Sequence, residues 1–146
     1  MIRFWILIFL LFLSPRTVHA QILRLKISNI RSDQGVLVIS LFKSQEQFKS
    51  DQPAFIKKVS KAGLNDSTIV VDINNLEPGM YGIAVLDDEN ENGDMDYRFK
   101  RPTEGFGFSN YYHHGLFRPK FEDFCFELGK IDIMVKVFMK YIKETD

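Results

Sequence analysis

The chain has 146 residues, with 19 lysines and arginines against 19 aspartates and glutamates, so its formal charge is zero. That length suits one domain with a modest core. Balanced charge argues against the clustered basic surface of a nucleic-acid binder. The single cysteine, Cys125, rules out an internal disulfide, so the fold must stand on its core or on a core plus a metal.

Met1 to Ala20 has the marks of a secretory signal peptide. Arg3 provides a positive start, Phe4 to Leu13 is an unbroken apolar run, Ser14-Pro15 ends it, and Val18-His19-Ala20 is a small-x-small ending. The run is too short for a comfortable membrane span, and no cysteine follows it for lipid attachment. The expectation is a secreted or periplasmic protein that begins at Gln21, with no transmembrane anchor after cleavage and a formal charge of −2 once Arg3 and Arg16 are removed. Residues 21–140 then read as one domain and 141–146 as a polar tail.

Leu23 to Ser28 alternates strictly between apolar and polar, the pattern of a strand with one wet face. Arg31 to Gly35 is a turn. Val36 to Phe42 is nearly all apolar and predicts a central strand buried on both sides, forming a hairpin with the first. Ser44 to Pro53 is polar apart from Phe48, which suits a helical turn or a loop pinned by that ring. Phe55 to Ser60 predicts an edge strand blunted by Lys57, Lys58 and Lys61. Ser67 to Ile73 is a stronger strand. The spacing Leu76-x-Pro78-Gly79-x-Tyr81 resembles the tyrosine corner of Greek-key sandwiches, and Tyr81 to Leu86 runs on as a core strand.

That strand delivers the chain into Asp87-Asp88-Glu89-Asn90-Glu91-Asn92-Gly93-Asp94-Met95-Asp96. Oxygen-bearing side chains recur at Asp88, Asn90, Asn92, Asp94 and Asp96, with Gly93 where a tight oxygen cage needs a left-handed bend. The start matches the first half of a calcium-loop pattern. The closing bidentate glutamate is replaced by Phe99, and no helix signal flanks the loop. The five residues are therefore candidate ligands of a weak calcium-type site between strands; the alternative is a solvated acidic turn.

Tyr97 to Lys120 shows no clear periodic element. Its aromatic content argues for an ordered loop folded over the sandwich end. Glu104, Phe106, Phe108, Asn110, Tyr111 and His113 are its candidate ligand-binding residues, although the aromatics serve equally well as a satellite core. His113 and His114, being adjacent, point opposite ways on an extended chain and do not share a metal. Phe121 to Leu128 predicts a strand with Phe124 and Phe126 on one face and Cys125 as a buried inert thiol. Gly129-Lys130 turns the chain, and Ile131 to Phe138 predicts a last strand with Ile131, Ile133, Val135 and Val137 on one face.

About seven short strands and no helix-period segment indicate an all-β fold, a single antiparallel Greek-key β-sandwich. Four motifs in order then carry a resemblance: Pro78-Gly79-Met80-Tyr81, Asp88 to Gly93, Pro102 to Asn110, and Pro119 to Asp123. Together they resemble the secreted bacterial proteins grouped as domain-of-unknown-function family 2141, over about Ile22 to Phe138. The resemblance implies a signal peptide, a prealbumin-like or immunoglobulin-like sandwich, and no known reaction. Leu86-Asp87 stands where that family often has an aromatic and a histidine. The functional expectation is a non-catalytic binding or scaffolding module for an envelope or extracellular protein or glycan, braced by a calcium-type loop. The alternative is an envelope-associated hydrolase using Glu104, His113 or His114. Convergence of Glu104 with either histidine in a concave pocket separates the two.

Overall fold

The computed structural model describes residues 21–115 and 117–142; the signal-peptide segment lies outside them. The chain forms β1 (Ile22–Ser28), β2 (Val36–Phe42), α1 (Gln45–Lys49), β3 (Phe55–Ser60), β4 (Thr68–Asn74), β5 (Gly79–Asp88), β6 (Tyr97–Arg98), β7 (Arg101–Pro102), β8 (Gly105–Phe108), α2 (Phe121–Phe124), β9 (Cys125–Leu128) and β10 (Ile133–Phe138). Two sheets pack face to face. One has the order β10-β1-β4; the other has β3-β2-β5-β8, with β9 beside β8 along the same edge of β5. The expected all-β sandwich is therefore what forms. Its pairings are antiparallel apart from β1 with β10, which run parallel.

The alternation of β1 has the expected consequence. Leu23, Leu25 and Ile27 are fully buried between the sheets, while Arg24 and Lys26 face water. Leu37, Ile39 and Leu41 meet them from β2, Tyr81, Ile83 and Val85 from β5, and Val135 and Val137 from β10. β2 is buried on its other face as well, where Phe42 joins Phe48, Phe108 and Phe124 in a second apolar cluster. Phe48 reaches that cluster from α1, whose Ser44 hydroxyl caps the helix by accepting from the Gln47 amide.

The predicted β1–β2 hairpin does not form. β1 pairs with β4 and β10, and β2 with β3 and β5, so the Arg31–Gly35 turn crosses between sheets. A one-face-wet strand followed by a doubly buried one suits partners in different layers. β3 is the expected edge, but Lys61, just beyond it, is fully buried rather than blunting that edge.

The predicted loop Tyr97 to Lys120 contains a two-residue hairpin, β6–β7, and a true sheet strand, β8. Gly105 and Gly107 hide that strand from a sequence reading, since glycine is depleted in strands. Their role is close approach: a Cβ on Gly105 would sit 2.2 Å from Tyr141, and one on Gly107 would sit 2.6 Å from Val137. The rest of the segment covers the outer face of the five-stranded sheet instead of one end of the sandwich.

Phe121 to Phe124 is a short helix, not strand, so Phe124 enters the outer cluster while Phe126 enters the inter-sheet core. Gly82 makes room for it; a Cβ there would lie 2.6 Å from the Phe124 ring. Cys125 is half-buried. The last strand begins at Ile133, and Ile131 is exposed.

Candidate functional site

Asp87 and Asp88 end β5 and are both fully buried, on opposite faces of the strand. Asp87 faces the interior. It pairs with the buried Lys61 ammonium and accepts a 2.6 Å hydrogen bond from the Tyr141 hydroxyl. Burial, then the bond to Asp87, pushes the Tyr141 hydroxyl well above its ordinary pKa. The Arg31 guanidinium lies over the Tyr141 ring and forks onto Glu89, holding that carboxyl below the usual range. None of this network was legible in the sequence, because the partners lie 26, 54 and 58 residues apart.

Asp88 faces the acidic loop. One carboxylate oxygen accepts from the Asn92 amide at 3.0 Å and the other from Gly93 at 2.9 Å. Asn90 and Asn92 turn their side-chain nitrogens onto Asp96. The Asn92 side-chain oxygen accepts from the Asp94 amide. So Asp88, Asn90, Asn92 and Asp96 do converge, but through hydrogen bonds with one another and with the backbone. Among the described residues no group of three or more His, Cys, Asp and Glu side chains is arranged to hold a metal. The donor chemistry still suits calcium: half-turns of the two asparagine amides would present oxygens beside Asp96.

Glu104, a candidate catalytic acid in the sequence, is a clamp for this loop. Its two oxygens accept from the backbone amides of Glu89 and Asp96, and burial raises its pKa against those bonds. Asn110 is elsewhere again. It sits at positive φ and exchanges hydrogen bonds with the backbone of Lys136 on β10.

Phe106, Phe108, Tyr111 and His113 come together. The His113 ring centroid lies 6.0–6.2 Å from each of the other three rings. Phe106 and Phe108 point outward from β8, because the intervening Gly107 faces inward. With Ser40, Phe42, Ala84 and Leu86 they floor a pocket of about 360 Å³ on the outer face of the five-stranded sheet. One wall is the acidic loop with the β6–β7 hairpin, represented by Asp94, Lys100 and Arg101; the other is the segment carrying His113, Phe117 and Arg118. Arg118 stacks over Phe48 at 3.9 Å and pairs with Asp51 at 3.2 Å. The hairpin turns on Phe99 and Lys100, both at positive φ, a conformation that a two-residue hairpin demands and that side chains disfavour. Glu104 is not among the residues lining the pocket, and its two oxygens accept from the Glu89 and Asp96 amides, while His113 lines the pocket.

A family profile described as "Uncharacterized protein conserved in bacteria (DUF2141)" matches residues 25–136. The chain belongs to this family. No curated protein and no solved structure matches it. Membership agrees with the resemblance carried by the four motifs. In this DUF2141 chain the four motifs now have places: the tyrosine corner at the start of β5, the acidic loop at its end, the Pro102–Asn110 stretch around β8, which floors the pocket, and Pro119–Asp123 leading into α2. The Tyr81 hydroxyl donates to the Glu77 carbonyl at 2.8 Å, as a tyrosine corner requires.

Proposed function

We propose that this DUF2141 chain is an exported, non-catalytic binding module whose ligand site is the pocket on the outer face of the five-stranded sheet. The observation that carries this reading is the pocket itself. A cleft of about 360 Å³ with an aromatic floor and a few polar groups on its walls has the size and character of a small-ligand site. Apolar rings that a sandwich does not need between its sheets are gathered there instead. The acidic loop forms part of one wall, and we assign it the role of a brace. Calcium held by Asp88, Asn90, Asn92, Asp94 and Asp96 would offset the repulsion among those carboxylates and fix the wall. Export rests on Met1 to Ala20, and the ligand is expected in the envelope or the extracellular medium.

A thermal-shift screen of the purified protein against small apolar compounds, envelope glycans and peptides tests the reading, since a ligand of the native state raises Tm. Ala84→Leu extends a side chain into the pocket and should abolish the response. A response that survives Ala84→Leu would place the ligand elsewhere, and the absence of any response would remove the pocket from consideration.

A further inference from the structure

Both walls of the pocket carry exposed aromatic rings. Tyr97 is 63 % exposed and Phe117 is 87 % exposed, and the two line the pocket from opposite walls. Phe99, at the turn between β6 and β7, is 89 % exposed. Large apolar side chains exposed singly are normal, whereas several around one site mark a surface that meets something apolar. The backbone strengthens the point. Phe99 sits at φ +50°, where glycine or asparagine is accommodated more easily, so the ring is displayed at a conformational cost. Among the described residues, both apolar clusters of the fold form without these three rings.

Cations alternate with the rings. The hairpin reads Tyr97-Arg98-Phe99-Lys100-Arg101, and the facing wall carries Phe117-Arg118. Arg98 lies over the Phe99 ring at 5.8 Å, and Arg118 over Phe48 at 3.9 Å. The acids lining the pocket are Asp51, paired with Arg118, and Asp94. The mouth is therefore basic on a chain whose formal charge is zero. Aromatic and basic side chains side by side suit the boundary between anionic headgroups and acyl chains. A glycan stacked on the rings would leave the cations idle. Rings on two separate walls also suit a fluid surface, into which each inserts independently.

We propose that the mouth of the pocket docks on an anionic phospholipid surface, with Tyr97, Phe99 and Phe117 entering the interface and Lys100 and Arg118 against the headgroup phosphates. Docking goes beyond the small-ligand reading, and neither claim requires the other. The purified protein should sediment with vesicles of equal parts phosphatidylglycerol and phosphatidylcholine, binding them about tenfold more tightly than phosphatidylcholine alone and more weakly as salt rises. Phe99→Ser combined with Phe117→Ser should lower that affinity about tenfold. Lys100→Glu should remove most of the preference for the anionic vesicles. Phe99→Trp and Met134→Trp give a second readout if the serine variant does not fold. Met134 is exposed on the three-stranded sheet, so vesicles should shift tryptophan emission to shorter wavelength in the first protein and not in the second. Any contribution from Trp5 is common to both. No binding to the anionic vesicles, binding that the serine and glutamate variants leave unchanged, or equal emission shifts at the two positions would overturn the proposal. A lipid-free dimer that the serine variant dissociates would assign the rim to a second copy of the chain instead. A thermal shift with a small ligand but no vesicle binding would overturn docking and leave the pocket reading standing.

Discussion

The Tyr141 hydroxyl donates to Asp87 at 2.6 Å, joining the C-terminal segment to the end of β5 inside the sandwich. Asp87 is fully buried, with the Lys61 ammonium on its other oxygen, so the three groups stabilise one another. Tyr141→Phe removes one donor and should cost about 1–3 kcal/mol. Lys61→Met strands a buried carboxylate and should cost more, about 3–5 kcal/mol. Adding Asp87→Leu to Lys61→Met should recover part of that loss. Denaturant titration measures all three, and a double variant no better than Lys61→Met would show that the pair is not a coupled unit.

The same contact sets a pH dependence. The Tyr141 pKa is raised in the folded state, by burial first and by Asp87 second. Stability from this group is fully present below the unfolded tyrosine value of about 10 and is lost as pH rises from there toward the folded value. The protein should lose stability above about pH 10, and Tyr141→Phe should lose less over that range. Parallel stability–pH curves for the two proteins would show that Tyr141 ionises as in water.

Tyr81→Phe removes the hydrogen bond to the Glu77 carbonyl and leaves that acceptor without its partner. A loss of about 1–3 kcal/mol is expected, read as a lower denaturation midpoint at unchanged m-value. An unaltered midpoint would mean that the corner is held by its turn alone.

The acidic loop separates two effects. Asp88 caps the amides of Asn92 and Gly93, so Asp88→Ala should reduce the unfolding free energy by about 1.5–3 kcal/mol even in EDTA, for charged hydrogen bonds lost. Asp96→Asn should spare that cap while weakening any response to calcium. For a site with Kd on the order of 10⁻⁴–10⁻³ M, calcium at ten times Kd stabilises by about 1.4 kcal/mol, with magnesium doing less. Identical melting curves in millimolar calcium and in EDTA would reduce the loop to a self-bonded turn.

Gly35 is the tightest backbone constraint on this region. It has φ +73°, and a Cβ there would lie 2.1 Å from the Asp88 carbonyl oxygen. Gly35→Ala carries at least the roughly 1–2 kcal/mol of a left-handed residue, plus displacement of the acidic loop. Its unfolding free energy should fall by more than that of Gly63→Ala, which has a similar φ but open space around it.

The residues by themselves determined everything that depends on local period and turn chemistry. Alternation in Leu23–Ser28, double burial of Val36–Phe42, the tyrosine corner and the loop after β5 follow from side chains a few positions apart, and so does the all-β class. Tertiary structure decided what depends on distant partners. β1 and β2 separate into different sheets because each finds its partners elsewhere in the chain. Gly105-Phe106-Gly107-Phe108 becomes a strand because only glycine admits Val137 and Tyr141 against its inner face, which also turns both phenylalanines toward the pocket. Lys61 looks like a surface lysine and Tyr141 like part of a tail until Asp87 brings them together. Glu104 and His113 sit nine residues apart in one connection, yet one serves the acidic loop and the other the pocket. Burial and polar pairing across the sandwich separate such neighbours, and no local spacing encodes them.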